Sequence, residues 1–214
     1  MQLYFAPLAC SLATRIAAYE ADLALDYVQV DTRAKRLQDG SDFLPINPLG
    51  QVPVLRTDEG WLLTENAAIL QYLAGQVPDA ALAPATGAQH ARLQQWLGFI
   101  STELHKAVFV PLLDRQAPPE VKAYARDKAA RRLDVLQAHL AGRDCLVDRF
   151  SVADAYLFVV LNWAAYVDVD LSARPAVADF RRRIGERPAV ARALAEEMAL
   201  YAQQQAQRAA VAQR

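Results

Sequence analysis

The hydrophobic positions of this chain follow two rhythms, and the change between them falls near residue 77. Before it, short apolar runs of strand character alternate with helix-forming ones. Leu3 to Phe5 is stopped by Pro7, Leu12 to Ala21 favours helix, Tyr27 to Val30 is rich in strand formers, and Val52 to Leu55 follows a Gly-Gln turn. Trp61 to Leu63 reads as a partner strand. The next segment predicts a helix opened by Asn66 as its N-cap, with Ala67, Leu70 and Leu73 along it and Gly75 as its stop. The order β-α-β-x-β-β-α implies a small mixed sheet. Its first helix supplies the crossover that a parallel pair needs, while R-T-D-E-G is short enough only for an antiparallel hairpin.

Residues 78–87 carry two prolines and several alanines and read as a linker. After it the strand signals vanish. Leu93, Leu97, Ile100 and Leu104 recur at helical spacing, Tyr124 to Leu140 is a charged amphipathic helix, and Val152 to Tyr166 is apolar nearly all round, as a central buried helix would be. Two more helices follow, broken by Pro175 and Pro188, and the glutamine-rich tail from Gln203 is expected to fray. The fold class is therefore α/β plus all-α, with residues 1–77 as a small α/β domain and 88–214 as an all-helical one. In R-F-S-V-A-D-A-Y, Ser151 and Asp154 have the spacing of a capping box, which gives Asp154 a structural role at the start of the buried helix.

Composition narrows the function. Of 214 residues 54% are hydrophobic, and 23 basic residues face 24 acidic ones, so no basic surplus exists to engage nucleic acid or an anionic membrane. No apolar run reaches the length of a membrane span, and M-Q-L-Y-F-A-P lacks the features of a signal peptide, so a cytoplasmic location is expected. Two distant cysteines and three scattered histidines form no metal-ligand pattern, and no metal is expected.

Cys10 follows the turn A-P-L-A at the opening of the first helix, where unpaired N–H groups and the helix dipole favour a thiolate and hold its pKa below the free-thiol value of about 8.5. Position alone leaves a reactive thiol and a small buried hydrophobe equally open. No second cysteine stands at Ala13, so a disulfide at Cys10 would have to be resolved by an external thiol. Cys145 reads as a core residue. His105 and Lys106 close the run T-E-L-H-K, where either could present a cation across a cleft.

The runs A-C-S-L-A around Cys10, F-L-P-I-N-P-L-G-Q-V-P-V-L from Phe43, L-L-T-E-N-A-A-I-L-Q-Y-L-A from Leu62, W-L-G-F-I-S-T-E-L-H-K from Trp96 and F-S-V-A-D-A-Y-L-F from Phe150 resemble the bacterial beta-class glutathione S-transferases, in that family's order over roughly residues 1 to 200. The resemblance implies a thioredoxin-like N-terminal domain with a small mixed sheet, an all-helical C-terminal domain and a homodimer. It implies glutathione as co-substrate and a small apolar electrophile as second substrate. Cys10, His105 and Lys106 would be catalytic. Val52 would pair its backbone with the cysteinyl unit of glutathione, beside a cis Pro53. Glu65 and Asn66 would hold the γ-glutamyl end, Lys35 and Gln51 the glycyl end, and Glu103 would reach across the dimer. Asn66 stands where the family often has Ser or Gly, and Gly98 replaces a usual Asn. Tyr4, where other classes carry a catalytic tyrosine, is read as scaffold. Two alternatives to conjugation stay open: a glutaredoxin-like disulfide reductase or thiol transferase using Cys10, and a non-catalytic ligand carrier.

Overall fold

The computed structural model describes residues 1–212, and the side chains of 1–210. The chain divides into two compact units, Met1–Leu73 with Pro188–Arg214, and Ala74–Arg187.

The first unit holds strands β1 (Gln2–Phe5), β2 (Asp26–Asp31), β3 (Arg36–Leu37), β4 (Val54–Arg56) and β5 (Leu62–Leu63), in the spatial order β3-β2-β1-β4-β5. β1 runs parallel to β2 and antiparallel to β4, and β4 and β5 form the expected hairpin. The central position of β1 follows from its side chains. Leu3 and Phe5 pack with Leu55, Ile69 and Leu73 on one face, while Tyr4 packs with Val30, Phe43 and Val54 on the other. Tyr4 is 3% exposed and packs against Phe43, which makes it scaffold. The two-residue β3 gives too short an apolar signal to be seen in sequence.

Helix α1 (Leu12–Glu20) supplies the crossover, and α2 (Asn66–Gln76) follows β5. Asn66 is not the cap of α2. The Glu65 carbonyl accepts the N–H groups of Ala68 and Ile69, so Glu65, in the left-handed region at φ 65°, occupies the cap position, and the Asn66 side chain is free for another bond. Gly75 lies inside α2 rather than beyond its end.

The second unit contains α3 (Gly87–Phe99), a π-helical segment over Ile100–Phe109, α4 (Val110–Leu113), α5 (Pro119–Leu140), α6 (Val152–Asn162) and α7 (Pro175–Gly185). The apolar period predicts a regular helix through Leu104. Instead the ladder widens to i→i+5, seen where the Val110 N–H reaches the His105 carbonyl, and Pro111, which has no N–H, follows directly. Helix α6 is buried on all sides, as its sequence implies. The capping box exists: Asp154 accepts the Ser151 N–H and hydroxyl and the Leu146 N–H, each at 2.8 Å. Burial raises its pKa to about 6.

Pro175 and Pro188 stand at the first positions of α7 and α8 (Pro188–Ala212), where a missing N–H costs nothing, so they start these helices and do not break them. The tail does not fray at Gln203: α8 continues to Ala212, and Arg208 pairs with Asp31 on β2. Residues 213 and 214 of the expected tail lie outside the described residues. Helix α8 packs against α1.

Candidate active site

Cys10 does not lie in the first turn of α1. It sits two residues before Leu12, in a helical turn where its carbonyl accepts the Ala13 N–H, and it is buried. Its Sγ donates to the Val52 carbonyl oxygen at 3.3 Å. The Val52–Pro53 peptide bond is cis, as the resemblance implies, and Pro53 is buried at the entry to β4. The fold thus brings the thiol to the backbone of the cis-proline loop.

The loop that carries Cys10 is anchored from a distant part of the sequence. Leu8 is in the left-handed region at φ 60°, and its N–H donates to Glu197 Oε2 at 2.8 Å. Glu197 is fully buried on α8, and its Oε1 accepts Arg15 Nε at 2.9 Å. Arg15, 4% exposed on α1, also lies over the ring of Tyr27 at 3.8 Å. The buried Glu197 carboxylate thus has an N–H and a guanidinium as donors, while Arg15 also reaches Glu196 Oε2 at 3.3 Å through Nη1 and keeps Nη2 buried without a partner. Sequence reasoning missed Glu197. A signal existed: Val190, Ala193 and Glu197 follow the i, i+3, i+7 spacing of the buried stripe of α8, so a carboxylate stands on an apolar face. Ser11, buried behind Cys10, closes the same loop by hydrogen bonding to the backbone of Ala6.

Lys35, at φ 57°, donates from Nζ to the Gly50 carbonyl at 2.9 Å. Gly50 is at φ +59°, which favours glycine, and a Cβ there would lie 2.5 Å from Lys35 Cδ and displace the lysine side chain from its bond to the Gly50 carbonyl. The Gln51 side chain is exposed, and its carbonyl accepts Asn47 Nδ2 at 2.7 Å. Lys35 and Gln51 are thereby fixed at either end of one turn leading to Val52. Glu65 is exposed, whereas Asn66, 5% exposed, accepts the Thr14 hydroxyl on its Oδ1 at 3.0 Å and leaves Nδ2 buried without a partner.

Glu103, His105 and Lys106 share the π-helical segment of the second unit. Glu103 is paired with Arg132 of α5 through both Nε and Nη2. His105 Nδ1 lies 2.6 Å from the Tyr156 hydroxyl, and its ring stacks edge-on against Trp163. Burial, with the nearby Lys106 adding to it, pushes His105 down to about 4. His105 is therefore neutral near pH 7 and supplies no cation, and of the two neighbours only the exposed Lys106 carries charge. Cys145 is half-buried, and burial pushes its thiol up to about 11. Gly98 has open space where a side chain would stand.

Residues 1–75 match the family model for the glutathione S-transferase N-terminal domain, and residues 100–188 match the one for the C-terminal domain. The chain belongs to the glutathione S-transferase family. It is 42% identical to glutathione S-transferase GstA of Escherichia coli O157:H7 over 199 residues, 92% of this chain and 98% of that one. Glutathione S-transferase GST-4.5 of Xanthomonas campestris is 37% identical, covering 86% of this chain and 92% of the relative. Among solved structures, the ternary complex of BphK, a bacterial transferase, superposes with a TM-score of 0.89 at 48% identity, covering 92% of this chain and 99% of its own. The bacterial beta-class transferase of Sphingomonas chungbukensis gives 0.88 at 44% identity, with 92% and 98% covered. This transferase accordingly joins a thioredoxin-like N-terminal domain to a helical C-terminal one, and glutathione is its co-substrate. Among its described residues no group of His, Cys, Asp or Glu could hold a metal ion, and no helix is long and apolar enough to cross a membrane.

Proposed function

We propose that this transferase works as a homodimer that joins the glutathione thiol to small apolar electrophiles, with Cys10 beside the bound tripeptide. The observation that carries the reading is the contact between Cys10 Sγ and the Val52 carbonyl, because Val52 is the residue whose backbone the cysteinyl unit of glutathione would pair with. Glutathione would lie along Lys35, Gln51, Val52 and Pro53, with its γ-glutamyl end at Glu65 and Asn66. Glu103, held by Arg132 in its own chain, would approach the partner subunit's ligand. In conjugation the thiol gives its proton to solvent, its sulfur forms a bond to the electrophilic carbon, and the leaving group departs with its electron pair. The protein positions the thiolate.

A second reading is favoured by the same contact. Cys10 beside the glutathione site could attack a mixed disulfide of glutathione with another thiol, taking the glutathionyl group and releasing that thiol in reduced form, and a glutathione thiolate would then restore Cys10 and leave as oxidised glutathione. Intact-mass measurement after incubation with reduced and with oxidised glutathione, run beside conjugation and disulfide-reduction assays, separates the two. Conjugation without reductase turnover supports the first reading, and a Cys10 adduct with reductase turnover supports the second. Absence of both activities with retained glutathione binding would leave a carrier protein.

A further inference from the structure

The two ends of the Asn66 amide behave differently. Its Oδ1 is taken by the Thr14 hydroxyl at 3.0 Å in a buried setting, while Nδ2 is buried and has no hydrogen-bond partner. Thr14 is fully buried on α1, and Asn66 is 5% exposed at the first residue of α2. An asparagine amide carries an acceptor and a donor that can exchange places by a half-turn about its last torsion. Beside a carboxylate ligand only one orientation is useful, because the donor attracts the anion and the oxygen repels it. A serine at this position would have a hydroxyl that rotates to suit. Asparagine needs something to choose for it.

We propose that Thr14 is a positioning residue for carboxylate recognition at the start of α2. By donating to Asn66 Oδ1 it fixes the amide with Nδ2 as the remaining donor, and that donor receives the α-carboxylate of the γ-glutamyl ligand, next to the unpaired N–H groups of the first helical turn. The buried, unsatisfied Nδ2 is what such a site looks like before its anion arrives. The proposal rests on the reading that the γ-glutamyl end of glutathione lies at Glu65 and Asn66.

Calorimetric titration of the full chain with glutathione and with 4-aminobutanoyl-cysteinylglycine, the same peptide without the γ-glutamyl carboxylate, tests it. The wild type should bind glutathione about tenfold or more tighter than the analogue, the loss expected for one charge-assisted hydrogen bond. Thr14→Val should weaken glutathione alone and bring the ratio to about threefold or less, and Thr14→Ser should restore it. Asn66→Leu tests the other end of the bond and should equalise the two ligands even if Thr14→Val does not fold. A folded Thr14→Val or Asn66→Leu protein that keeps the wild-type ratio overturns the proposal. If the wild type itself does not distinguish the ligands, the γ-glutamyl reading falls and the proposal with it.

Discussion

Cys10 Sγ and the Val52 carbonyl oxygen form a hydrogen bond across 42 positions of sequence, which ties the turn before α1 to the cis-proline loop before β4. A peptide ligand that pairs with the Val52 backbone must share or displace this bond. If glutathione takes the proposed position, its binding and the state of the Cys10 thiol are linked, and each of the two proposed enzymatic readings uses that link differently.

The thiol chemistry should belong to Cys10 alone. Oxidised glutathione should add one glutathionyl group to the wild type and none to Cys10→Ala, because Cys145, raised to about 11 by burial, has almost no thiolate near pH 7.5. Intact-mass spectrometry reads this directly. An adduct on Cys10→Ala would move the reactive thiol to Cys145.

His105 should make the fold acid-sensitive. Its pKa in the folded protein is about 4 against a usual 6.5, so the unfolded chain binds the proton more readily. The stabilisation is complete above pH 6.5 and is lost as pH falls through 6.5 towards 4, by about 3 kcal/mol in total. Asp154, raised to about 6, acts with the opposite sign between pH 4 and 6, so the quantity to read is the difference between wild type and His105→Gln. Urea unfolding from pH 7 to 4 should show that difference shrink, and a constant difference would mean that His105 is not buried as a neutral ring.

Asp154→Ala should lower stability without touching ligand chemistry. It leaves the buried N–H groups of Leu146 and Ser151 unpaired, at about 2–4 kcal/mol together, or roughly 5–15 °C in Tm for a chain of this size. Differential scanning calorimetry checks the shift. Glutathione affinity measured well below the lowered Tm should be unchanged.

Glu197→Ala should cost about 3–5 kcal/mol, since it removes the buried carboxylate that accepts both Arg15 Nε and the Leu8 N–H and leaves Arg15 only its partly exposed pairing with Glu196. Replacing both members with apolar side chains, Arg15→Met with Glu197→Leu, should recover part of the loss. A double-mutant cycle in chemical denaturation gives the coupling, and a coupling near zero would show that the pair does not act as a unit.

Much of this architecture was legible because it rests on local chemistry. The apolar run from Leu3 to Phe5, stopped by Pro7, marked a strand, R-T-D-E-G marked a hairpin, and Ser151 with Asp154 marked the start of α6. The candidate site was legible mainly through resemblance, since nothing in the spacing of Lys35, Gln51 and Glu65 requires them to share a ligand. What escaped depended on distant partners. Asn66 looks like a cap because Asn caps helices well, but Thr14 claims its side chain and the Glu65 carbonyl does the capping. His105 looks like a cation until Tyr156 and Trp163 surround it. The tail from Gln203 looks soluble and loose, yet its backbone needs only helix continuity and one ion pair from Arg208 to stay ordered.

The bond from the Leu8 N–H to Glu197 joins residues 189 positions apart, nearly the whole chain. During synthesis the sheet strands leave the ribosome first, but the segment that carries Glu197 leaves only after all of Ala74–Arg187. The nascent α/β unit is therefore incomplete until α8 has been made, and chains terminated before Pro188 would carry the thiol on a turn that lacks its Glu197 anchor. The order of synthesis in this way sets when the turn that carries Cys10 acquires its distant anchor.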